Sequence, residues 1–178
     1  MQNTPTFIDF VLDETGSMNK QPTINGFNDF IKEQKELPDE CYMTLTKFNS
    51  GSVSTPYNNL SIGSVPPLTF VPNGMTNLYD VIGQRLSIPS SGKRMFVVLT
   101  DGADNSSKEF NMGSIKILVS NAREHGVKLM YLGSDTQAKN TAIGMGFQED
   151  EIVIFQEGEV YAALNTVSVA TKAYRTTG

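Results

Sequence analysis

Short apolar runs alternate along the chain with longer stretches in which apolar residues recur every three or four positions. The runs are rich in β-branched and aromatic residues and too short for free-standing helices, so they predict strands. One of them has an uninterrupted apolar centre, which is typical of a strand covered on both faces of a sheet. The predicted strands are residues 7–12, 42–49, 94–100, 127–133 and 153–155.

The stretches between these runs have helical spacing. Ile24, Phe27 and Ile31 predict a helix that starts near Pro22, because proline is best tolerated in a first turn. A glycine at 126 predicts the end of a later helix. The other predicted helices cover residues 76–86, 113–125, 136–144 and 159–174.

The segment 50–74 differs from the rest, since it is rich in Ser, Gly, Pro and Asn. It predicts one edge strand at about 52–56 followed by an irregular loop, because prolines at 66, 67 and 72 argue against a central strand. Strands alternating with helices predict an α/β fold with a mostly parallel central sheet and helices on both faces. The length of 178 residues fits a single domain over 1–178.

Composition excludes several classes of function. The net charge is −5 and the 14 Lys and Arg residues do not cluster, which argues against nucleic acid and anionic lipid as partners. One cysteine and one histidine exclude a disulfide framework and a Cys/His zinc cluster. No apolar run approaches the ~20 residues of a membrane helix, and the N-terminus lacks the pattern of a signal peptide. We therefore expect a soluble, cytoplasmic protein.

Three polar loops stand where a ligand site of an α/β sheet is expected. Residues 13–17 follow the first strand, 73–76 precede a helix, and 100–104 follow the strand 94–100. In open sheets, ligands bind at the carboxyl ends of the strands. The loops offer carboxylate and hydroxyl oxygens without thiol or imidazole, which predicts a hard cation: Mg²⁺, or Mn²⁺ or Ca²⁺. The candidate ligands are Asp13, Thr15, Ser17, Thr76 and Asp101.

The mixture of donors suggests a purpose for the ion. Two carboxylates and three neutral hydroxyls leave a divalent cation electron-poor, whereas four carboxylates would neutralise it. A carboxylate from another molecule would then be attracted to an open coordination position. This donor set is suited to metal-bridged binding of a ligand.

The motifs DETGSM, GMTNLYD and LTDG, in this order, resemble those of the von Willebrand factor A (vWA) domain. That family's metal-ion-dependent adhesion site has the pattern Asp-x-Ser-x-Ser, then Thr, then Asp. Asp13, Thr15 and Ser17 match the first motif, Thr76 the second and Asp101 the third. The chain departs from the pattern at Thr15, where serine is more usual and where the extra methyl group adds bulk.

The resemblance covers nearly the whole chain and implies a three-layer, Rossmann-like vWA fold with an antiparallel edge strand near 52–56. It implies that Thr15, Ser17 and, with ligand bound, Thr76 contact the ion directly, while the aspartates act largely through water. It further implies a non-enzymatic module that docks an acidic residue of a protein partner. Residues 17–35 and 128–147 resemble stand-alone bacterial and bacteriophage members of the family.

Two alternatives stay open. The first is a haloacid-dehalogenase-like phosphotransferase with Asp13 as nucleophile, because Asp13–Ser17 and Asp101–Asp104 also resemble that family's motifs. The phosphate-binding lysine of that family argues against this alternative, since Lys93 precedes a strand that spans roughly 23 Å and so lies at the wrong end, and Lys108 could reach only from a loop. The second is a scaffold with a degenerate site. His125, expected at a helix end, does not suit a catalytic triad.

Overall fold

The computed structural model describes residues 4–15, 18–49, 52–72, 74, 76–89, 92–102, 104, 106–156 and 158–177. The strands are β1 Thr6–Asp13, β2 Cys41–Asn49, β3 Ser52–Ser61, β4 Lys93–Thr100, β5 Lys128–Gly133 and β6 Ile152–Ile154. The helices are α1 Lys20–Lys35, α2 Leu78–Leu86, α3 Met112–Glu124, α4 Thr136–Gly144 and α5 Val160–Thr176, with 3-10 turns at Ile62–Ser64 and Glu149–Glu151. No helix in these ranges is long and apolar enough to cross a membrane.

The strands form one sheet in the order β3-β2-β1-β4-β5-β6. β1 pairs in parallel with both β2 and β4, and β5 continues the parallel pairing to β6. Only the β2–β3 pair among the described strands is antiparallel. From β1 the chain adds β2 and β3 on one side of the sheet, and then continues with β4, β5 and β6 on the other side of β1. The crevice between the carboxyl ends of β1 and β4 is therefore the topological switch point, where ligands bind in such sheets.

Two apolar cores cover the two faces of the sheet. Side chains alternate along a strand, so Ile8, Phe10 and Leu12 of β1 pack with α1 and α5, while Val11 packs with α2, α3 and α4. The predicted α/β fold class, with a mostly parallel sheet and helices on both faces, is confirmed. The central strands are apolar because both their faces are buried.

The edge strand β3 is longer than the sequence predicted. It extends to Ser61 rather than ending near 56, so the irregular loop predicted for 57–61 was wrong. Tyr57 pairs with Leu45 and Leu60 pairs with Met43, so β3 uses three residues to move from one pair to the next where β2 uses two. Such bulges absorb an extra residue, and the one between Tyr57 and Leu60 contains Asn59 at φ 50°. The strand tolerates Pro56 because it lies at the edge of the sheet.

Candidate metal centre

The switch point brings together residues from three separate loops. Asp13 is the last residue of β1, and Asp101 directly follows the neighbouring strand β4. Thr76 lies just before α2, and its Oγ1 is 3.7 Å from the position that a Cβ on Gly102 would occupy. Thr15 follows β1 by two residues. The structure thus brings four of the five predicted ligands to one edge of the sheet, while Ser17 lies outside the described residues.

Asp13 is held in one orientation by two donors. Its Oδ1 accepts a hydrogen bond from the Thr15 backbone N–H at 2.8 Å. Its Oδ2 accepts from the Thr100 hydroxyl at 2.6 Å, and the same hydroxyl oxygen accepts from the Gly102 N–H at 3.2 Å. Sequence reasoning missed Thr100, although it directly precedes Asp101. Its hydroxyl joins the two strand ends that carry the predicted carboxylate ligands.

The electrostatics of Asp13 are those of a carboxylate that lacks a counter-charge. Burial raises the pKa of Asp13 above its ordinary value of 3.8, and the neighbouring negative charge of Asp101 raises it further. The hydrogen bonds from Thr100 and Thr15 act in the opposite direction but do not outweigh burial. A cation between the two carboxylates would reverse this balance, because it would favour the charged form of both.

Thr15 provides a direct test of whether these residues fit a cation. Its side chain is 2% exposed, and its Oγ1 forms no hydrogen bond of regular geometry among the described residues, although it lies close enough to the Asp13 carboxylate to lower the pKa of that group. Buried hydroxyls in native proteins are nearly always paired, so an orphaned hydroxyl oxygen needs an explanation. A hard cation accepts such an oxygen as a ligand. The residues present therefore fit the implied Mg²⁺-type ion.

The donor set depends on hydroxyl groups. Within the described ranges, no three His, Cys, Asp or Glu side chains are grouped closely enough to hold a metal ion. Asp13 and Asp101 supply the carboxylates, and the remaining predicted ligands are hydroxyl groups of Thr and Ser. This composition was expected from the sequence, but the role of these residues as ligands stays a prediction.

A clamp that the sequence did not reveal fixes the loop after β4 to α2. The Asp80 carboxylate accepts the backbone N–H groups of Lys108, Glu109 and Phe110, each at 2.8 Å. Asp104 accepts the Tyr79 N–H at 3.1 Å, at the start of α2. Both contacts connect the loop that carries Asp101 to the helix that follows Thr76. The only sequence signal was the pair of carboxylates, one in the first turn of a helix and one in a polar loop.

A cavity of about 530 Å³ borders this edge of the sheet. Its lining includes the apolar residues Met18, Phe155 and Val160 and the polar residues Asp101 and Ser134. The Ser134 hydroxyl donates to the Asp101 backbone oxygen at 2.8 Å, which ties the cavity wall to the β4 end. The cavity is large enough to receive a side chain of another molecule beside the predicted cation.

Residues considered for other chemistry lie elsewhere. Lys93 is at the amino end of β4, where its Nζ donates to backbone oxygens at the end of α5, including that of Tyr174. His125 directly follows α3, and its Nδ1 is 2.7 Å from the Asn121 backbone oxygen. Cys41 is buried, and burial raises the pKa of its thiol to about 11. The positions predicted for Lys93 and His125 are confirmed.

No protein family model matches the sequence. No curated protein matches it either.

Solved structures provide the informative comparison. The chain is similar to the vWF domain of the type V pili tip protein Mfa5 from Porphyromonas gingivalis, with a TM-score of 0.73, 11% identity and coverage of 99% of this chain and 98% of that one. Proximal thread matrix protein 1 from the mussel byssus gives a TM-score of 0.69 at 18% identity, over 94% of this chain and 46% of that one. The ArnB paralog VWA2 from Sulfolobus acidocaldarius gives 0.59 at 15%, over 89% and 43%.

This chain therefore spans less than half of the mussel protein and of VWA2, and nearly all of the Mfa5 domain. The mostly parallel sheet with its antiparallel edge pair fits the fold of the Mfa5 vWF domain, so the chain has the vWA fold. At these low identities the likeness concerns the fold alone.

Proposed function

We propose that this protein is a divalent-cation-dependent protein-binding module that docks an acidic side chain of its partner at the carboxyl edge of β1 and β4. The observation that carries the proposal is the orphaned Thr15 hydroxyl oxygen beside the buried Asp13 carboxylate. Among the described residues, neither group has a partner that would compensate it in full. A hard cation would compensate both.

The residues of the chain have separate parts in this function. Asp13, Thr15, Ser17, Thr76 and Asp101 would hold the ion, and bound Mg²⁺ would offer an open coordination position to a carboxylate oxygen. Thr100 keeps Asp13 in the orientation that faces the edge, because it donates to Oδ2 from the neighbouring strand. The adjacent cavity would receive the residues that flank the partner's carboxylate. The proposal includes no catalytic step.

The similar structures support a binding role. Mfa5 is a pilus tip protein and the mussel protein is a thread matrix protein, and both contain the fold seen here. Fold alone does not define function. The proposal therefore depends on the residues at the switch point, and the comparisons add only that related architectures occur in such proteins.

Two observations disfavour the phosphotransferase alternative. Both Asp13 oxygens accept hydrogen bonds and the side chain is fully buried, whereas a nucleophile must reach its substrate. Lys93, the nearest lysine before the motif at 101–104, binds the end of α5 instead. Release of phosphate from an aryl phosphate, dependent on Asp13, would favour that alternative over docking.

The proposal is tested by selecting a random peptide library on the immobilised protein in Mg²⁺ and eluting with EDTA. We expect EDTA to release the bound peptides, and we expect these to share an Asp or Glu at a fixed position. The variant Thr15→Val keeps the shape of the side chain and removes the ligand oxygen, so it should lose Mg²⁺ binding in calorimetry and retain few peptides.

Thr46→Val serves as the matched control. Thr46 is also buried, but it lies on β2 opposite Val11, and its hydroxyl is 3.4 Å from that of Thr55 on the edge strand. This variant should bind Mg²⁺ and the same peptides as the native chain. Peptides that lack an acidic residue, or that stay bound in EDTA, would contradict the proposal.

A further inference from the structure

Tyr131 lies on the same face of the sheet as Asp13, two residues further from the carboxyl edge in the strand register. Strand register places Tyr131 opposite Val98 of β4, and Val98 opposite Val11 of β1. All three side chains belong to the core that contains α2, α3 and α4. Because side chains alternate, Asp13 is the next residue after Val11 on this face, toward the carboxyl edge.

The Tyr131 ring extends toward that edge. The next position of β5 on the same face is Gly133, and a Cβ placed there would lie 3.3 Å from Cε1 of Tyr131. A Cβ on Gly133 would also lie 2.7 Å from Cβ of Ala138, so the glycine is required chiefly by the approach of α4. The contact with Cε1 shows that the Tyr131 ring extends along β5 toward the carboxyl edge.

The hydroxyl of Tyr131 is the unexplained part of this arrangement. The residue is 0% exposed, and within the described part of the chain its Oη has no hydrogen-bond partner. Phenol hydroxyls usually find a partner when buried, since an unpaired one loses its bonds to water. Burial raises the pKa of Tyr131, and Asp13 raises it further, ahead of Tyr79 and Asp135. The Tyr131 hydroxyl therefore lies within electrostatic range of the Asp13 carboxylate.

We propose that Tyr131 is a positioning residue of the cation site, whose hydroxyl donates through a water molecule to the Asp13 carboxylate from within the core. The inference rests on the proposed function. Each Asp13 oxygen accepts one bond in the structure and has a further lone pair for another donor. The Tyr131 hydroxyl would then orient Asp13 from the core side, while the Thr100 hydroxyl orients it from β4.

A purely structural tyrosine would behave differently. If its hydroxyl were an uncompensated polar group in the core, removing it would leave the protein equally or more stable and would not affect cation binding. If the hydroxyl positions Asp13, its removal weakens the cation site. Groups that orient metal ligands typically change metal affinity by about 10- to 100-fold when removed.

The test is Tyr131→Phe, which keeps the ring and removes the hydroxyl. Calorimetric titration with MgCl2 should give a dissociation constant at least about tenfold weaker than that of the native chain. Thermal unfolding in EDTA should show a single cooperative transition, which verifies that the variant is folded when its Mg²⁺ binding is compared with that of the native chain. A dissociation constant within about twofold of native would overturn the inference.

Tyr174→Phe provides the opposite control. The Tyr174 hydroxyl lies 3.2 Å from the backbone oxygens of both Arg94 and Gly126, at the other end of the sheet. Its removal should lower the unfolding midpoint in EDTA and leave the Mg²⁺ dissociation constant unchanged. If the native chain itself fails to bind Mg²⁺, the proposed function fails. If the native chain and Tyr131→Phe bind Mg²⁺ equally well, only the role of Tyr131 is overturned.

Discussion

At the scale of single residues, Asp13 combines a good hydrogen-bond environment with an unfavourable electrostatic one. Two donors hold its oxygens, yet burial keeps its pKa above the ordinary value. Ionised Asp13 therefore destabilises the cation-free fold. The sign follows from the direction of the shift: the penalty is complete above the raised pKa and is relieved as the pH falls through it toward 3.8.

Asp13→Asn should remove this penalty. The amide oxygen can accept from the Thr15 N–H and the amide nitrogen can donate to the Thr100 hydroxyl, so the geometry is preserved. In EDTA near pH 8 we expect the variant to be at least as stable as the native chain, and the difference should shrink as the pH falls toward 4. Urea unfolding over this pH range measures it.

In Mg²⁺ the order of stability should reverse. At a concentration a hundredfold above the dissociation constant, a bound ion stabilises the native chain by about 2.7 kcal/mol, and Asp13→Asn should lack this increment. A variant that is clearly less stable than native in EDTA, or that keeps the increment, would contradict this account of Asp13.

At the scale of elements, hydrogen bonds attach the loop after β4 firmly to α2. Burial acts to raise the pKa of Asp80, but the bonds from the backbone N–H groups of Lys108, Phe110 and Glu109 outweigh it and hold the pKa below its ordinary value of 3.8. Gly83 allows the same loop to approach, because a Cβ there would lie 2.4 Å from Cγ of Phe110. The helix and the loop therefore position Thr76 and Asp101 together.

Asp80→Asn should loosen this connection. One amide oxygen cannot replace a carboxylate that accepts three N–H groups, so we expect a loss of about 1–3 kcal/mol in the free energy of unfolding at pH 7. Because the pKa of Asp80 is lowered on folding, its stabilising effect is present at neutral pH and is lost as the pH falls below 3.8. Urea unfolding and hydrogen exchange of the 108–110 amides measure the change.

Asp150→Asn is the control for this prediction, because Asp150 is exposed and lies in the turn before β6. It should leave both stability and amide exchange unchanged. Fast exchange confined to the loop in Asp80→Asn, with weaker Mg²⁺ binding, would agree with the connection described here. Equal stability of the two variants would refute it.

At the scale of the whole molecule, stability and the candidate site depend on different groups. Asp9, in the middle of β1, forms ion pairs with Arg94 of β4 at 2.6 Å and Arg85 of α2 at 3.1 Å. On the other face, Arg175 of α5 pairs with Asp39 at 3.0 Å. These partly or fully buried ion pairs link β1 to β4 and α2, and link α5 to the turn before β2, away from the carboxyl edge.

Asp9→Ala should therefore reduce stability without affecting the candidate site. Removing one partner of a buried pair leaves the other charge uncompensated, which costs about 3–5 kcal/mol. Distant sites contribute additively, so the stabilisation gained from saturating Mg²⁺ should equal that of the native chain. Unfolding curves with and without Mg²⁺ test this, and a smaller increment in the variant would show that the two regions are coupled.

The sequence by itself determined the order of elements and the position of the candidate ligands along the chain. Apolar runs and helical spacing are local properties, and a strand end is where the run stops, so Asp13, Thr15 and Asp101 could be assigned to strand ends in advance. Parallel strands bring such ends to one edge. The donor types then indicated a hard cation without any knowledge of distances.

Only the tertiary structure decided which groups support these ligands. Thr100 donates to a residue 87 positions earlier, Asp80 accepts from a loop about 30 positions later, and Tyr131 lies on the same face as Asp13 with only β4 between their strands. The length of β3 likewise depended on bulges formed against β2. Such contacts form when distant segments pack together, so they leave no periodic signal in the sequence. Strand pairing and the burial of side chains in the folded chain determine which groups meet.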